Sequence, residues 1–224
     1  SFYSDDGTEV LVVDGGTISG NGSKTWYLPS AIASLPSGFV GSAIVASDMP
    51  VAATVNTQLP SGTNPMRVGT SIGVQTPSEI VYVTQLMNDY YQWDSYCAVQ
   101  NAGATSVDVV ARFYDESGVE VTTDTKTVMP SSNKLYDLTA VAGLGSGIFS
   151  AKFEGDATHP IAVVCNFYNT GLNASTSQFH SYNGLAQGDT KLFVPRIVKD
   201  YYGYQSGLRI QNIGSETLTV TVTY

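Results

Sequence analysis

The stretch Asp89-Tyr90-Tyr91-Gln92-Trp93-Asp94-Ser95-Tyr96-Cys97-Ala98-Val99-Gln100-Asn101-Ala102-Gly103 returns further along the chain as Asp200-Tyr201-Tyr202-Gly203-Tyr204-Gln205-Ser206-Gly207-Leu208-Arg209-Ile210-Gln211-Asn212-Ile213-Gly214. Asp, Tyr, Tyr, Ser, Gln, Asn and Gly recur in register, and similarity at a fixed period, here about 111 residues, marks an array of structural units. The same spacing relates Phe2-Tyr3-Ser4-Asp5-Asp6-Gly7-Thr8-Glu9-Val10 to Phe113-Tyr114-Asp115-Glu116-Ser117-Gly118-Val119-Glu120-Val121. In both copies an aromatic strand end passes through an acidic, Gly-bearing turn into an alternating strand, which is a hairpin signal.

Outward from these anchors, residues 79–189 read as one whole unit. Its strands are expected at Ile80–Met87, Ser95–Asn101, Ser106–Tyr114, Val119–Met129, Gly147–Glu154, Ile161–Tyr168 and Ser177–Tyr182, with one helical turn near Leu138–Leu144. Short β-branched and aromatic strands with a turn about every ten residues predict an all-β chain of antiparallel β-sandwich units. Residues 1–78 read as a sandwich lacking its first strands. Within them Leu35 to Val45 aligns with Leu144 to Glu154, and Pro50-Val51-Ala52-Ala53-Thr54-Val55-Asn56 aligns with Pro160-Ile161-Ala162-Val163-Val164-Cys165-Asn166. Residues 190–224 read as the first strands of a further unit, with Leu208, Ile210, Leu218, Val220 and Val222 as a segment suited to strand exchange. Two arrangements fit: a piece of a longer tandem array, or a head-to-tail homopolymer in which the tail of one subunit completes residues 1–78 of the next. Unpaired strand edges invite such pairing.

Composition narrows the function. Hydrophobic residues at 42% exclude a largely disordered chain, while the charged fraction of 13% is about half the usual quarter for a soluble domain. The net charge of −9 repels phosphate backbones, so nucleic acid is not an expected partner. No apolar run approaches the roughly 18 residues that span a bilayer. No Gly-x-Ser-x-Gly nucleophile elbow, His-Glu-x-x-His or phosphate-cradling Gly-x-x-x-x-Gly-Lys loop is read, and His159 and His180 have no second ligand at metal spacing. No catalytic, cofactor-binding or metal-binding residue is expected, and the chain does not read as an enzyme.

Tyr90, Tyr91, Trp93, Tyr96 and their counterparts Tyr201, Tyr202 and Tyr204 lie between the first two strands of a unit. Packing at the junction between units is the expectation, since a junction recurs in every unit; a platform for polysaccharide is the alternative. The acidic turns around Asp5-Asp6-Gly7 and Asp115-Glu116-Ser117-Gly118 lack the spacing of a calcium loop and read as ordinary turns. Asn21-Gly22-Ser23 and Asn173-Ala174-Ser175 are glycosylation sequons.

The series Tyr-Tyr-x-x-x-Ser, Gln-Asn-x-Gly, an alternating strand, then Pro-[Val/Ile]-Ala and a closing Asn resembles the tandem immunoglobulin-like repeats of prokaryotic cell-surface, S-layer-type and extracellular-fibre proteins. The resemblance covers the whole chain and implies an extracellular structural or adhesive role without cofactor. Cys97 aligns with Leu208 and Cys165 with Val55, so both cysteines occupy apolar slots facing a core. By strand count they fall on the second and sixth strands, where immunoglobulin-type sandwiches carry their inter-sheet bridge. A Cys97–Cys165 disulfide is therefore expected ahead of two buried thiols, and with it an oxidising compartment. The functional expectation is a structural subunit of an extracellular fibre, sheath or surface layer, with a carbohydrate-binding or adhesive module as the alternative.

Overall fold

Side chains on a strand alternate between its two faces, so a core-facing row recurs at every second residue. Along Trp93–Asn101, Val107–Tyr114 and Gly147–Glu154 the chain keeps this alternation and buries one row. The computed structural model describes residues 1–32, 34–58, 68–169 and 178–223. In chain order the strands are β1 (Phe2–Tyr3), β2 (Glu9–Leu11), β3 (Ser42–Ala43), β4 (Thr54–Gln58), β5 (Val68–Ile72), β6 (Ile80–Asn88), β7 (Trp93–Asn101), β8 (Val107–Tyr114), β9 (Glu120–Val128), β10 (Asn133–Asp137), β11 (Gly147–Glu154), β12 (Ile161–Asn169) and β13 (Phe179–Asn183). The only helical pieces are a single turn at Leu28–Ala31 and a 3-10 turn at Leu138–Ala140 among the described residues.

Strands β6 to β13 form two four-stranded antiparallel sheets, ordered β10-β7-β12-β13 and β6-β11-β8-β9, whose inward rows meet in one core. One sheet contributes Val107, Val109, Ala111 and Phe113 of β8 with Phe149, Ala151 and Phe153 of β11. The other contributes Cys97, Val99, Tyr136, Ile161, Val163 and Cys165. Phe153 meets Phe113 and Tyr136 edge-on, with ring centroids 6.5 and 5.2 Å apart, the arrangement aromatic quadrupoles favour. Each such fully buried side chain contributes roughly 1.5–3 kcal/mol relative to leaving it in water. The region is a β-sandwich-like all-β fold.

Strand β6 changes phase once. Val83 stands opposite Ala151 and Leu86 opposite Phe149, so β6 carries one residue more than β11 across that interval. This bulge explains why its inward residues run Val81, Val83, then Leu86 and Asn88.

The disulfide forms, but within one sheet and not between two. Strands β7 and β12 are hydrogen-bonded neighbours, Cys97 lies directly opposite Cys165, and their Cα atoms are 4.1 Å apart. Facing sheets lie about 10 Å apart, so residues on adjacent strands of one sheet are the closer pair. Polar side chains make the links across the sandwich. The Tyr136 hydroxyl donates to the Val109 carbonyl at 2.7 Å. The Tyr182 hydroxyl donates to the Gln85 carbonyl at 2.6 Å and accepts from the Gln85 amide at 3.2 Å. Asn101 Nδ2 donates to the Val128 carbonyl at 3.0 Å.

Strand β10 had no counterpart in the expected series. Its five residues, Asn-Lys-Leu-Tyr-Asp, are too few and too polar to display alternation, and only pairing along β7 reveals it.

The flanks are built differently. Strands β2-β1-β3 form a small three-stranded sheet and β4-β5 a two-stranded hairpin, every residue of β4 being exposed. Between 189 and 223 there is no strand; a single bridge joins Tyr201 and Tyr204. The strands expected there are absent because a ladder needs a partner, and no described strand runs alongside them. No helix of the described residues is long and apolar enough to cross a membrane.

Candidate functional site

The aromatic turns are set by backbone geometry. Tyr90 and Trp93 exchange backbone hydrogen bonds of 3.1 and 3.0 Å, and Tyr201 and Tyr204 exchange bonds of 3.2 and 2.9 Å. Asp89, Tyr91 and Gln92 have φ of 46, 49 and 68°, and Asp200, Tyr202 and Gly203 have φ of 54, 50 and 80°. Left-handed backbone at consecutive central positions is what a tight reversing turn demands. In each turn the two tyrosines meet edge-on with centroids 4.7 Å apart.

Other local bonds coincide at matching positions. Asn101 Oδ1 accepts from the Gly103 amide at 2.7 Å and its Nδ2 donates to the Thr105 carbonyl at 2.7 Å; Asn212 does the same with Gly214 at 3.0 Å and Glu216 at 2.8 Å. Asn166 accepts the Ser181 hydroxyl at 2.6 Å, and Asn56 accepts the Thr70 hydroxyl at 2.8 Å. Strand register agrees: Phe2 faces Leu11 and Tyr3 faces Glu9 as Phe113 faces Thr122 and Tyr114 faces Glu120. Ala43 faces Phe2 as Ala151 faces Phe113, which places the Leu35–Val45 alignment one residue away from the sequence-based one.

What differs is burial. Cys97 and Val99 are fully buried, whereas Leu208 and Ile210, one repeat spacing further on, are each 45% exposed. Val107, Val109 and Ala111 are buried; Leu218, Val220 and Val222 are about half exposed. Val81, Val83 and Leu86 are buried, and Leu192, Val194 and Ile197 reproduce their uneven spacing while exposed. In the N-terminal part Val45 and Val55 lie open where Phe153 and Cys165 are sealed.

The tyrosine and tryptophan residues divide into covered and open rings. Trp93 stacks on His180 at 5.6 Å and Tyr96 leans on Tyr168 at 6.1 Å. Tyr90 is half-buried, Tyr201 and Tyr204 are exposed, and Tyr91 and Tyr202 are 80% and 86% exposed. Burial pushes the Tyr96 and Tyr168 hydroxyls up from their ordinary value. Asn21 sits exposed with φ of 61°, and Asn173 lies outside the described residues.

The remaining polar clusters serve turns. Asp6 accepts from the Ser4 hydroxyl at 2.6 Å and the Thr8 amide at 2.9 Å, and these bonds hold its carboxyl at about 2. Asp156 is held at about 2 by the Thr158 hydroxyl and then His159. His159 also bonds the Thr105 hydroxyl, tying one loop end to another. Neither of two surface hollows, about 460 Å³ beside Lys134 and about 320 Å³ beside Tyr90, includes this trio. No group of three or more His, Cys, Asp or Glu side chains that could hold a metal occurs among the described residues. Gly69-Thr70-Ser71-Ile72-Gly73 matches the Gly-x-Ser-x-Gly spacing, a match the sequence reading missed. Ser71 stands in a hairpin opposite Val55 and not at the strand-to-helix turn that exposes such a nucleophile.

No protein-family model matches the chain, and no curated protein does. Among solved structures, a crystal structure of Thermotoga maritima 1070 is similar over 50% of this chain and 97% of that one, with 11% identity and a TM-score of 0.43. At that distance the likeness carries no argument about fold or function.

Proposed function

We propose that this chain is a structural subunit of an extracellular fibre, sheath or surface layer, built from tandem immunoglobulin-like sandwich units that recur at the Asp89-to-Asp200 spacing. One observation carries the reading: exposed apolar residues from Leu192 to Val222 stand one repeat period after buried core residues, and the bonds of the surrounding turns match. The turn at Tyr201 and the cap at Asn212 repeat those of the central sandwich, while no described sheet covers the apolar residues around them. The low charged fraction and the bonded cysteines support an oxidising, extracellular setting. Negative-stain imaging of the purified chain tests it: filaments or sheets with an axial rise of one or two units are expected, and a monomer stable on dilution overturns the polymer.

A polysaccharide-binding role is a second reading, favoured by the open rings of Tyr91 and Tyr202. Trp93 is already covered by His180, and Tyr91 and Tyr202 are the most exposed rings of the two turns. On that reading Tyr91→Ala with Tyr202→Ala abolishes binding on a glycan array and leaves the melting temperature unchanged.

A further inference from the structure

We propose that residues 191–222 of one copy seat on the N-terminal strands of a second copy, in the register the central sandwich uses. Leu208 then lies opposite Val55 as Cys97 lies opposite Cys165. This rests on the polymer reading and adds to it the partner and the alignment.

Two independent registers lead to it. Val55 faces Ser71 as Cys165 faces Tyr182, and the neighbouring Asn56–Thr70 bond repeats Asn166–Ser181, so Val55 holds the place of Cys165. Leu208 holds the place of Cys97, being four residues past the Tyr204 bridge as Cys97 is four past Trp93, and four before the Asn212 cap as Cys97 is four before Asn101. In the second register Ala43 holds the place of Ala151, which puts Val45 where Phe153 is. Leu192 and Val194 stand where Val81 and Val83 are, and those two face Phe153 and Ala151. The spacing Leu192, Val194, Ile197 also preserves the bulge of β6, with Pro195 inside it, a position that tolerates a missing amide.

Charge and area fit a second copy. Residues 1–78 hold five acidic side chains against two basic, a net of −3, whereas residues 190–224 hold four basic against two acidic, a net of +2. Opposite net charge favours encounter over like-charged association. Burying eight Leu, Ile and Val side chains at on the order of 60–120 Å² each, with a matching acceptor face, gives roughly 1,000–2,000 Å², the size of a specific interface. The chain's own tail lies elsewhere: Arg209 pairs with Glu116 at 2.6 Å, and Gln211 reaches the Ala151 carbonyl. The N-terminal hairpin instead rests on β13, where the Asn183 side chain brackets the amide and carbonyl of Ile72 at 2.9 and 2.7 Å.

Cysteine pairing in the full chain tests the register. Val55→Cys with Leu208→Cys should give a ladder of covalent multimers on non-reducing gels that collapses on reduction. Asn56→Cys with Leu208→Cys, one residue out of register, should not. Val45→Cys with Leu192→Cys repeats the test at the second register if the first variant fails to fold. Equal ladders from the in-register and shifted pairs, or a cross-link confined to the monomer, overturns the proposal. Filaments without a ladder overturn the register and leave the polymer standing. Absence of any assembly by the unmodified chain overturns both.

Discussion

Val99 and Ile210 stand at matching places after matching turns, yet one is fully buried and the other 45% exposed. The comparison of the central sandwich with its flanks teaches that turn geometry and core burial are separable. Local hydrogen bonds, between Tyr201 and Tyr204, Val198 and Ser206, and Asn212 and Glu216, shape the turn and the cap without any surrounding sheet. Burial requires two complete faces, and among the described residues only strands β6 to β13 supply both.

The sharpest way to break the comparison is to truncate equivalent core places. Phe153→Ala should destabilise the chain by about 3–5 kcal/mol through lost transfer energy and a cavity. Val45→Ala should cost under about 0.5 kcal/mol in the unassembled chain, as an exposed site does. Urea denaturation of both variants checks it, and equal losses would show that residues 1–58 share the central core. Next, Cys97→Ala with Cys165→Ala should cost ~4 kcal/mol on the chain-entropy model for a loop closed over 68 residues. Limited proteolysis of residues 189–223 should stay as fast as before.

A smaller effect separates the two asparagine caps. Asn101 is fully buried and bonded to Gly103, Thr105 and Val128, so Asn101→Ala should cost about 1–3 kcal/mol by stranding those groups. Asn212→Ala should leave melting unchanged in the free chain and weaken assembly. The smallest effects come from pH. Burial raises the Tyr182 hydroxyl to about 12, so the neutral form is favoured by folding. Its contribution is present below pH 10 and lost as pH rises through about 12. For Asp6 and Asp156, lowered to about 2, the stabilisation is present above their ordinary value and lost as pH falls through about 2. Tyrosine absorbance and far-UV circular dichroism follow the two limits.

Much of this was legible in the residues. Alternation located β8, β11 and β12 within a residue or two, because β8 and β11 have inward apolar rows unbroken by polar side chains and β12 has one over Ile161, Val163 and Cys165. Cys97 and Cys165 read as core-facing for the same reason. Their pairing within one sheet was not legible, since period-two patterning assigns a face but never a neighbour. Strand β10 escaped because five residues with Asn, Lys and Asp offer no period. The bulge in β6 became visible only once Leu86 was found opposite Phe149. Of the candidate site, the in-register recurrence of Tyr-Tyr and Gln-Asn-x-Gly marked the equivalent places, but the caps made by Asn101 and Asn212 emerge only from their side-chain bonds to nearby backbone. The split between covered Trp93 and open Tyr91 depended on His180, which arrives from β13, far downstream in the chain.

The bend at Asp200, Tyr202 and Gly203 has a kinetic meaning. A chain already reversed there has less ordering entropy left to lose, so in the proposed assembly the docking segment would bring a preshaped turn and not a coil. Local reversals of this sort close within about 1–10 μs. In that assembly Gly203→Val, a β-branched residue placed at φ of 80°, should weaken the finished contact by removing this preorganisation, read as a raised concentration threshold for assembly.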